Sequence, residues 1–295
     1  MHKINKICKN GEPLQLETSG NLRIVFLGVG SAFTKRKRQS NFLIIQGDYH
    51  VLVDCGTLGS LALDDIGLSV TKVQYYIPTH SHADHIGGFE EIALVNRYIT
   101  NSLSKPKMII VEEYQDLLWT KSLSGGIEFC ETKEGKPLQL TDFFDILRPK
   151  EIEILGRKKW LYQHGPIELV FMRTRHIPDS TTSIDEAQWC SGILVNNRVW
   201  VSGDTMFDRN YPTSFSEISE VMFHDCQMFQ GGVHSSYRQL MTLPEEVRAK
   251  MYLYHYNDNW DSPKTWVEAS DNFTGDPLQD GFLGWTQQQV AYDFS

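Results

Sequence analysis

Thr79-His80-Ser81-His82-Ala83-Asp84-His85-Ile86-Gly87-Gly88 is the stretch on which the reading of this chain turns. Four side chains in it, those of His80, His82, Asp84 and His85, offer imidazole or carboxylate donors within six positions. Zinc takes such nitrogen and oxygen ligands, and a catalytic site keeps one coordination position open for water. In an extended loop alternate side chains share a side, so His80 and His82 are placed to serve one metal. Asp84 and His85 follow as the chain turns and serve a second metal close by. Gly87 and Gly88 are read as letting the backbone bend tightly beside the ions. A lone histidine is ordinarily structural; four donors at this spacing, at a strand end, point to a metal centre.

Working outward, apolar runs and turn residues read as strands and helices in alternation. Leu22–Gly28 (LRIVFLG) is a strand, and Asn41–Gln46 forms a hairpin with residues 49–54 across Gly47-Asp48. Residues 61–68 have helical spacing, 73–78 are a strand that runs into the histidine cluster, and 86–98 are helical again. Strands recur at 107–111, Ile167–Arg173, 195–202 and 221–223, and helical spacing at 237–251. Alternation of this kind specifies a layered αβ architecture, taken here as one catalytic domain over 22–256. Residues 1–21 read as a polar leader. Residues 257–295 read as an irregular, aromatic-rich extension packed on the same domain, with a dimer contact as the other reading.

Bulk composition narrows the function classes. The chain has 295 residues, 41% of them hydrophobic, which is enough to bury a large core. A formal charge of -9 argues against holding long nucleic acid through phosphate neutralisation. The one dense basic run, Lys35-Arg36-Lys37-Arg38, reads either as a solvated turn or as a phosphate-facing loop. Five cysteines, Cys8, Cys55, Cys130, Cys190 and Cys226, form no CxxC pair and indicate neither a disulfide framework nor a thiolate zinc site. With no apolar signal core and no run of about 18 apolar residues, a cytoplasmic protein without a membrane segment is expected.

HSHADHIGG resembles the HxHxDH motif of the metallo-β-lactamase superfamily. The resemblance implies a four-layer αββα sandwich and directs attention to three later residues. His176, after the strand ending at Arg173, stands where the third ligand of the first metal belongs. Asp204, in Ser202-Gly203-Asp204-Thr205, matches the carboxylate that bridges both ions, and His255, closing MYLY, matches the last ligand. The implied sets are His80, His82 and His176 for one metal and Asp84, His85 and His255 for the other, with Asp204 between them. Two divalent cations, zinc in the first place with manganese or iron as alternatives, would then hold a bridging hydroxide for hydrolysis.

Within the superfamily, residues 221–226 (VMFHDC) and 233–236 (VHSS) resemble two segments of the ribonuclease Z branch, as do residues 26–32 (FLGVGSA) and 53–56 (VDCG). In that branch an acidic residue orients a histidine that assists phosphodiester cleavage. By position these are Asp225 and His234, which join Asp84 as the catalytic assignments, His234 donating a proton to the departing alkoxide. His224 reads equally as a buried strand histidine or as functional. No Gly- and Pro-rich arm for gripping transfer RNA is present, and residues 111–165 offer Trp119, Gly125-Gly126, Phe129 and Trp160 as pocket lining instead. The chain is therefore similar to the small-substrate phosphodiesterases of the branch, including enzymes that destroy cyclic pyrimidine nucleotides in anti-phage signalling, which are usually homodimers. Alternatives on the same metals are transfer-RNA 3′ processing and lactone, β-lactam or thioester hydrolysis; a structural metal-binding module and an iron-based redox role stand further off.

Overall fold

The computed structural model describes residues 2–6, 12–100, 104–154 and 156–295. The apolar runs become strands of two sheets, each eight-stranded among the described residues. The first sheet runs, in spatial order, His2–Lys6, Val290–Phe294, Leu22–Gly28, Asn41–Gln46, Tyr49–Val53, Tyr75–Ile77, Lys107–Ile109 and Asp145–Leu147. The second begins at Lys150–Ile154 and continues through Arg157–His164, Ile167–Arg173, Ser191–Val195, Val199–Val201, Val221–Asp225 and Met251–Tyr254 to Gly284–Trp285. Val221–Asp225 is buried along its whole length because it lies between two parallel neighbours with both faces covered.

The two sheets face each other across an aromatic core. Phe26 of the first sheet sits 4.7 Å from Phe223 and 5.7 Å from Tyr254 of the second, measured between ring centroids. Helices cover the outer faces: Gly59–Asp64 packs on Leu22–Gly28, and Asn210–Ile218 packs on Val221–Asp225. The helix Phe89–Tyr98 buries Phe89, Ile92 and Ala93, the i, i+3, i+4 stripe expected of an outer-layer helix. The αββα architecture implied by the histidine motif is the one observed.

Several local readings change. The span 195–202 is two strands, Ser191–Val195 and Val199–Val201, joined by a tight turn with Asn196 and Asn197 at positive φ. The span 237–251 is not one helix but two single turns, Tyr237–Leu240 and Glu245–Arg248, followed by the strand that opens at Met251. The last residues are not irregular throughout: Gly284–Trp285 closes one edge of the second sheet, and Val290–Phe294 is inserted in the first between His2–Lys6 and Leu22–Gly28. Arg23 and Asp293 face each other across that last pairing and form an ion pair at 2.6 Å. The stretch read as a polar leader thus supplies a strand, while Cys8 lies outside the described residues.

The basic run is an exposed turn whose arginines are met by carboxylates. Arg36 pairs with Asp261, Arg38 pairs with Asp65, and the backbone N–H groups of Lys35 and Arg36 donate to the Asp258 carboxylate. Cys55, Cys130, Cys190 and Cys226 are all free thiols. No helix among the described residues is long and apolar enough to cross a membrane.

Phe26 is fully buried against Phe42, Phe223, Tyr254 and Tyr292. Phe26→Ala is expected to cost about 3–5 kcal/mol by opening a cavity between the sheets. A urea titration would show this as a lowered midpoint with an unchanged slope; an unmoved midpoint would contradict the inter-sheet packing.

Candidate metal centre

Every donor singled out in the sequence sits at one edge of the sandwich, just past the end of a strand. His80 and His82 lie in the loop after Tyr75–Ile77, while Asp84 and His85 occupy the single helical turn Ala83–Ile86 that follows. His176 follows Ile167–Arg173, Asp204 follows Val199–Val201, and His255 directly follows Met251–Tyr254. Their strands run parallel within each sheet, so these loops emerge on the same side. His255 has φ of 60°, a left-handed conformation costly for a non-glycine residue, which turns its side chain out of the strand and into the cluster.

Gly87 and Gly88 are needed for a reason other than backbone bending, since both have ordinary helical φ values of -60° and -84°. A Cβ at Gly87 would lie 2.4 Å from the Thr57 methyl, and one at Gly88 would lie 2.6 Å from the Cys55 sulfur and 2.8 Å from the Gly56 carbonyl oxygen. The glycines let the 55–57 loop lie directly against the metal-motif helix. Gly203 does need its conformation: at φ of 63° it makes the sharp turn that delivers Asp204.

The expected ligands converge in two groups that share Asp204, and a third group joins Asp204 and His255 to Asp225 and His234. In the first, His82 Nδ1 lies 3.0 Å from His80 Nε2 and 3.1 Å from His176 Nε2, and those two Nε2 atoms lie 3.7 and 3.8 Å from Asp204 Oδ2. In the second, His85 Nε2 is 3.3 Å from Asp84 Oδ2 and 3.2 Å from Asp204 Oδ2. His255 Nε2 is 3.3 Å from Asp84 Oδ2 and 3.4 Å from Asp204 Oδ2. Ligands about 2.0–2.1 Å from a tetrahedral zinc ion stand roughly 3.3 Å apart, so both groups have the spacing of a coordination shell. Asp204 is 1% exposed, yet neither of its carboxylate oxygens has a hydrogen-bond partner. Leaving a charged group so would cost several kcal/mol, and a cation removes that cost. The residues therefore fit divalent metal on spacing, on donor chemistry and on a buried carboxylate whose two oxygens no hydrogen bond satisfies.

Hydrogen bonds behind three of the donors, His80, His85 and His176, hold the ring in the tautomer that a metal requires. The Asp54 carboxylate accepts from His85 Nδ1 at 2.6 Å, and from the backbone N–H and hydroxyl of Thr79, each at 2.8 Å. With its hydroxyl proton committed to Asp54, Thr79 Oγ1 accepts from His80 Nδ1 at 3.1 Å. One carboxylate thus aims a histidine in each group, leaving Nε2 of both free. The Val233 carbonyl does the same for His176, accepting from Nδ1 at 2.8 Å. Sequence reading quoted Val53-Asp54-Cys55-Gly56 but gave Asp54 no role; the signal was a carboxylate at a strand end, where it also takes φ of 60°.

Asp225 and His234 are brought together, as expected. Asp225 Oδ2 accepts from His234 Nδ1 at 2.8 Å and from the Thr205 backbone N–H at 2.9 Å, and Asp225 Oδ1 lies 3.4 Å from His255 Nδ1. The His234 ring is 4.8 Å from the rings of both His176 and His255, so it stands over the junction of the two groups. His224 is not part of the cluster: it is buried, its Nδ1 donates to the Asp225 carbonyl, and its ring packs edge-on against Trp200. Of the aromatic residues read as pocket lining, Trp160 lines a cavity, Trp119 packs in the core against Phe143, and Phe129 is exposed.

The family described as Anti-Pycsar protein Apyc1 matches this chain over residues 22–284. The chain belongs to the anti-Pycsar Apyc1 family. The Apyc1 protein of Paenibacillus xerothermodurans is 31% identical over 283 residues, covering 93% of this chain and 98% of its own length. That of Paenibacillus harenae is 33% identical over 243 residues, covering 81% and 92%, and that of Bacillus phage BSP38 is 30% identical over 240 residues, covering 80% and 90%. Among solved structures, the metallo-β-lactamase-fold protein YhfI of Bacillus subtilis superposes with a TM-score of 0.61 at 15% identity, covering 93% of this chain and all of that one. Yeast PDE1 gives 0.59 at 12% identity with the same coverages, and the short form of human tRNase Z gives 0.56 at 15%, covering 85% and 97%. Those likenesses establish the metallo-β-lactamase fold. This member of the Apyc1 family is an enzyme, a metal-dependent hydrolase.

Two outcomes test the metal centre. Burial alone would depress the His255 imidazole, but Asp204, Asp225 and Asp84 outweigh it and push its pKa up to about 10 from an ordinary 6.5. Between those pH values a metal-free His255 keeps a proton that a cation must displace, so zinc uptake at pH 7.5 should release protons. Calorimetry in two buffers of different ionisation enthalpy would then give different heats, and equal heats would refute it. Asp54→Asn, with its charge gone from behind His85, should weaken metal binding about 10–100-fold against a competing chelator while leaving the fold intact.

Proposed function

We propose that this enzyme is a phosphodiesterase that opens a small, anionic cyclic nucleotide. In this reading two divalent cations, zinc in the first place, are held by His80, His82 and His176 and by Asp84, His85 and His255, with Asp204 shared. Bound cations supply Lewis acidity toward a phosphoryl oxygen and a water of lowered pKa. Imidazole and carboxylate donors without thiolate suit zinc, and the same set accommodates manganese or iron.

The observation that carries the reading is the Asp225–His234 pair beside the shared carboxylate. Ring opening of a cyclic phosphodiester expels a sugar alkoxide, which leaves poorly unless it receives a proton. Asp225 accepts from His234 Nδ1, which fixes the ring and stabilises its protonated form. The other nitrogen, on a side chain 19% exposed, remains for the leaving oxygen. Asp84 counts in both roles, as a ligand and as part of the catalytic centre. Relatives that carry the name anti-Pycsar, and the resemblance to enzymes that destroy cyclic pyrimidine nucleotides, support the choice of substrate class. The homodimer of such enzymes is also part of this reading, and light scattering decides it.

The test is a turnover screen of cyclic mononucleotides, cyclic dinucleotides, precursor transfer RNA and a lactone. Cyclic mononucleotides should be converted to linear nucleotides, and His234→Ala should slow that reaction by about 10²–10⁴-fold. On bis(4-nitrophenyl) phosphate, whose leaving group departs unaided, the loss should stay below about 10-fold. Equal losses on both substrates would take His234 out of the proton-donor role, and turnover of the lactone alone would sink the phosphodiesterase reading.

A further inference from the structure

Beside the metal centre lies a second concavity of about 810 Å³ that no metal ligand lines. Its walls are the start of the strand Arg157–His164, the loop 174–190 that follows His176's strand, and the loop 205–211 that follows Asp204. Four arginines, Arg157, Arg173, Arg175 and Arg209, face it, in a protein whose acidic residues outnumber its basic ones 37 to 28. Among the described residues none of the four forms an ion pair with a carboxylate. Arg173 donates to the Ala187 carbonyl at 2.6 Å, Arg175 to the Thr181 carbonyl at 3.1 Å, and Arg209 to the Thr242 hydroxyl at 3.0 Å. Arg173 Nε is buried without a partner.

The carboxylates that share this lining do little to neutralise it. Glu113 is taken by Lys158 at 2.7 Å, and Asp208 accepts from the Asn210 N–H at 2.8 Å. Asp185 is the remaining acid. Two of the arginines also lie over aromatic rings, Arg157 at 5.2 Å from Tyr211 and Arg173 at 5.7 Å from Trp189. A guanidinium held by its face keeps its N–H edge for an oxyanion. Phe207 and Tyr211 are themselves partly exposed in the lining, as stacking surfaces for a planar ring.

We propose that this cavity is a second ligand site, for an aromatic organic phosphate of the nucleotide class, distinct from the metal centre. Its arginines take the phosphate and its aromatic rings take the base. The two loops that form it also carry His176 and Asp204, so occupancy reaches the metal centre through them; Arg175, whose carbonyl accepts from the Met206 N–H, ties the loops together. The proposal does not depend on which ester the metals hydrolyse.

The probe is 5′-AMP, titrated into the metal-loaded enzyme and followed by calorimetry and by the fluorescence of Trp160 and Trp189, which line the cavity. Adenosine and inorganic phosphate serve as half-ligands. AMP should bind at least about ten-fold more tightly than either half, because both subsites contribute. Arg157 and Arg209 are exposed, so the double variant Arg157→Ala/Arg209→Ala should fold, keep its metal, and lose at least about ten-fold in AMP affinity. His82→Ala, which removes the half-exposed metal ligand, should keep AMP binding and its fluorescence change. Unchanged affinity in the double variant overturns the proposal, as does loss of binding in His82→Ala, which would place the nucleotide at the metals. Failure of cyclic-nucleotide turnover in the wild-type enzyme would bear on the proposed activity and leave this result standing.

Discussion

The Asp204 carboxylate is the constraint around which the site is arranged. It is buried between two sets of imidazoles, and no N–H or O–H group in the described protein donates to either of its oxygens. A carboxylate in that position is unstable alone, and the imidazoles of His80, His85, His176, His234 and His255 gather round it. The left-handed Gly203 before it and the convergence of three loops from the second sheet place that one charge where the groups of donors meet.

The fold provides the placement without using its own core for chemistry. Strands that run the same way in each sheet release their loops along a single edge, so residues as distant in sequence as Asp54 and His255 act within one cluster. The aromatic packing of Phe26, Phe223 and Tyr254 locks the sheets face to face and thereby sets the separation of the two halves of the centre. Asp54 then links the halves more finely, because its single carboxylate orients His85 directly and His80 through the Thr79 hydroxyl.

Asp225 has a comparable position on the other flank. It accepts from His234 and the Thr205 backbone with one oxygen, and turns the other toward His255. One side chain thus contacts both His234 and His255. The arginine-lined cavity is bounded by the loops that carry His176 and Asp204.

Much of this was legible in the order of residues. The spacing of His80, His82, Asp84 and His85 is legible as a short motif tied to a strand end, while Asp204 and the pair Asp225 and His234 are reached through the family resemblance of the short segments that hold them. The alternation of strand and helix specified the layered class for the same reason: its periodicity is local. What tertiary structure alone decided was non-local. It gave Asp54 its role, showed that Gly87 and Gly88 serve packing against residues 55–57, and drew the final strand Val290–Phe294 back beside Leu22–Gly28. It also spent the basic run at Lys35–Arg38 on Asp258, Asp261 and Asp65 while leaving scattered arginines to gather round a cavity, since which charges meet depends on how distant loops are packed and not on their neighbours in the chain.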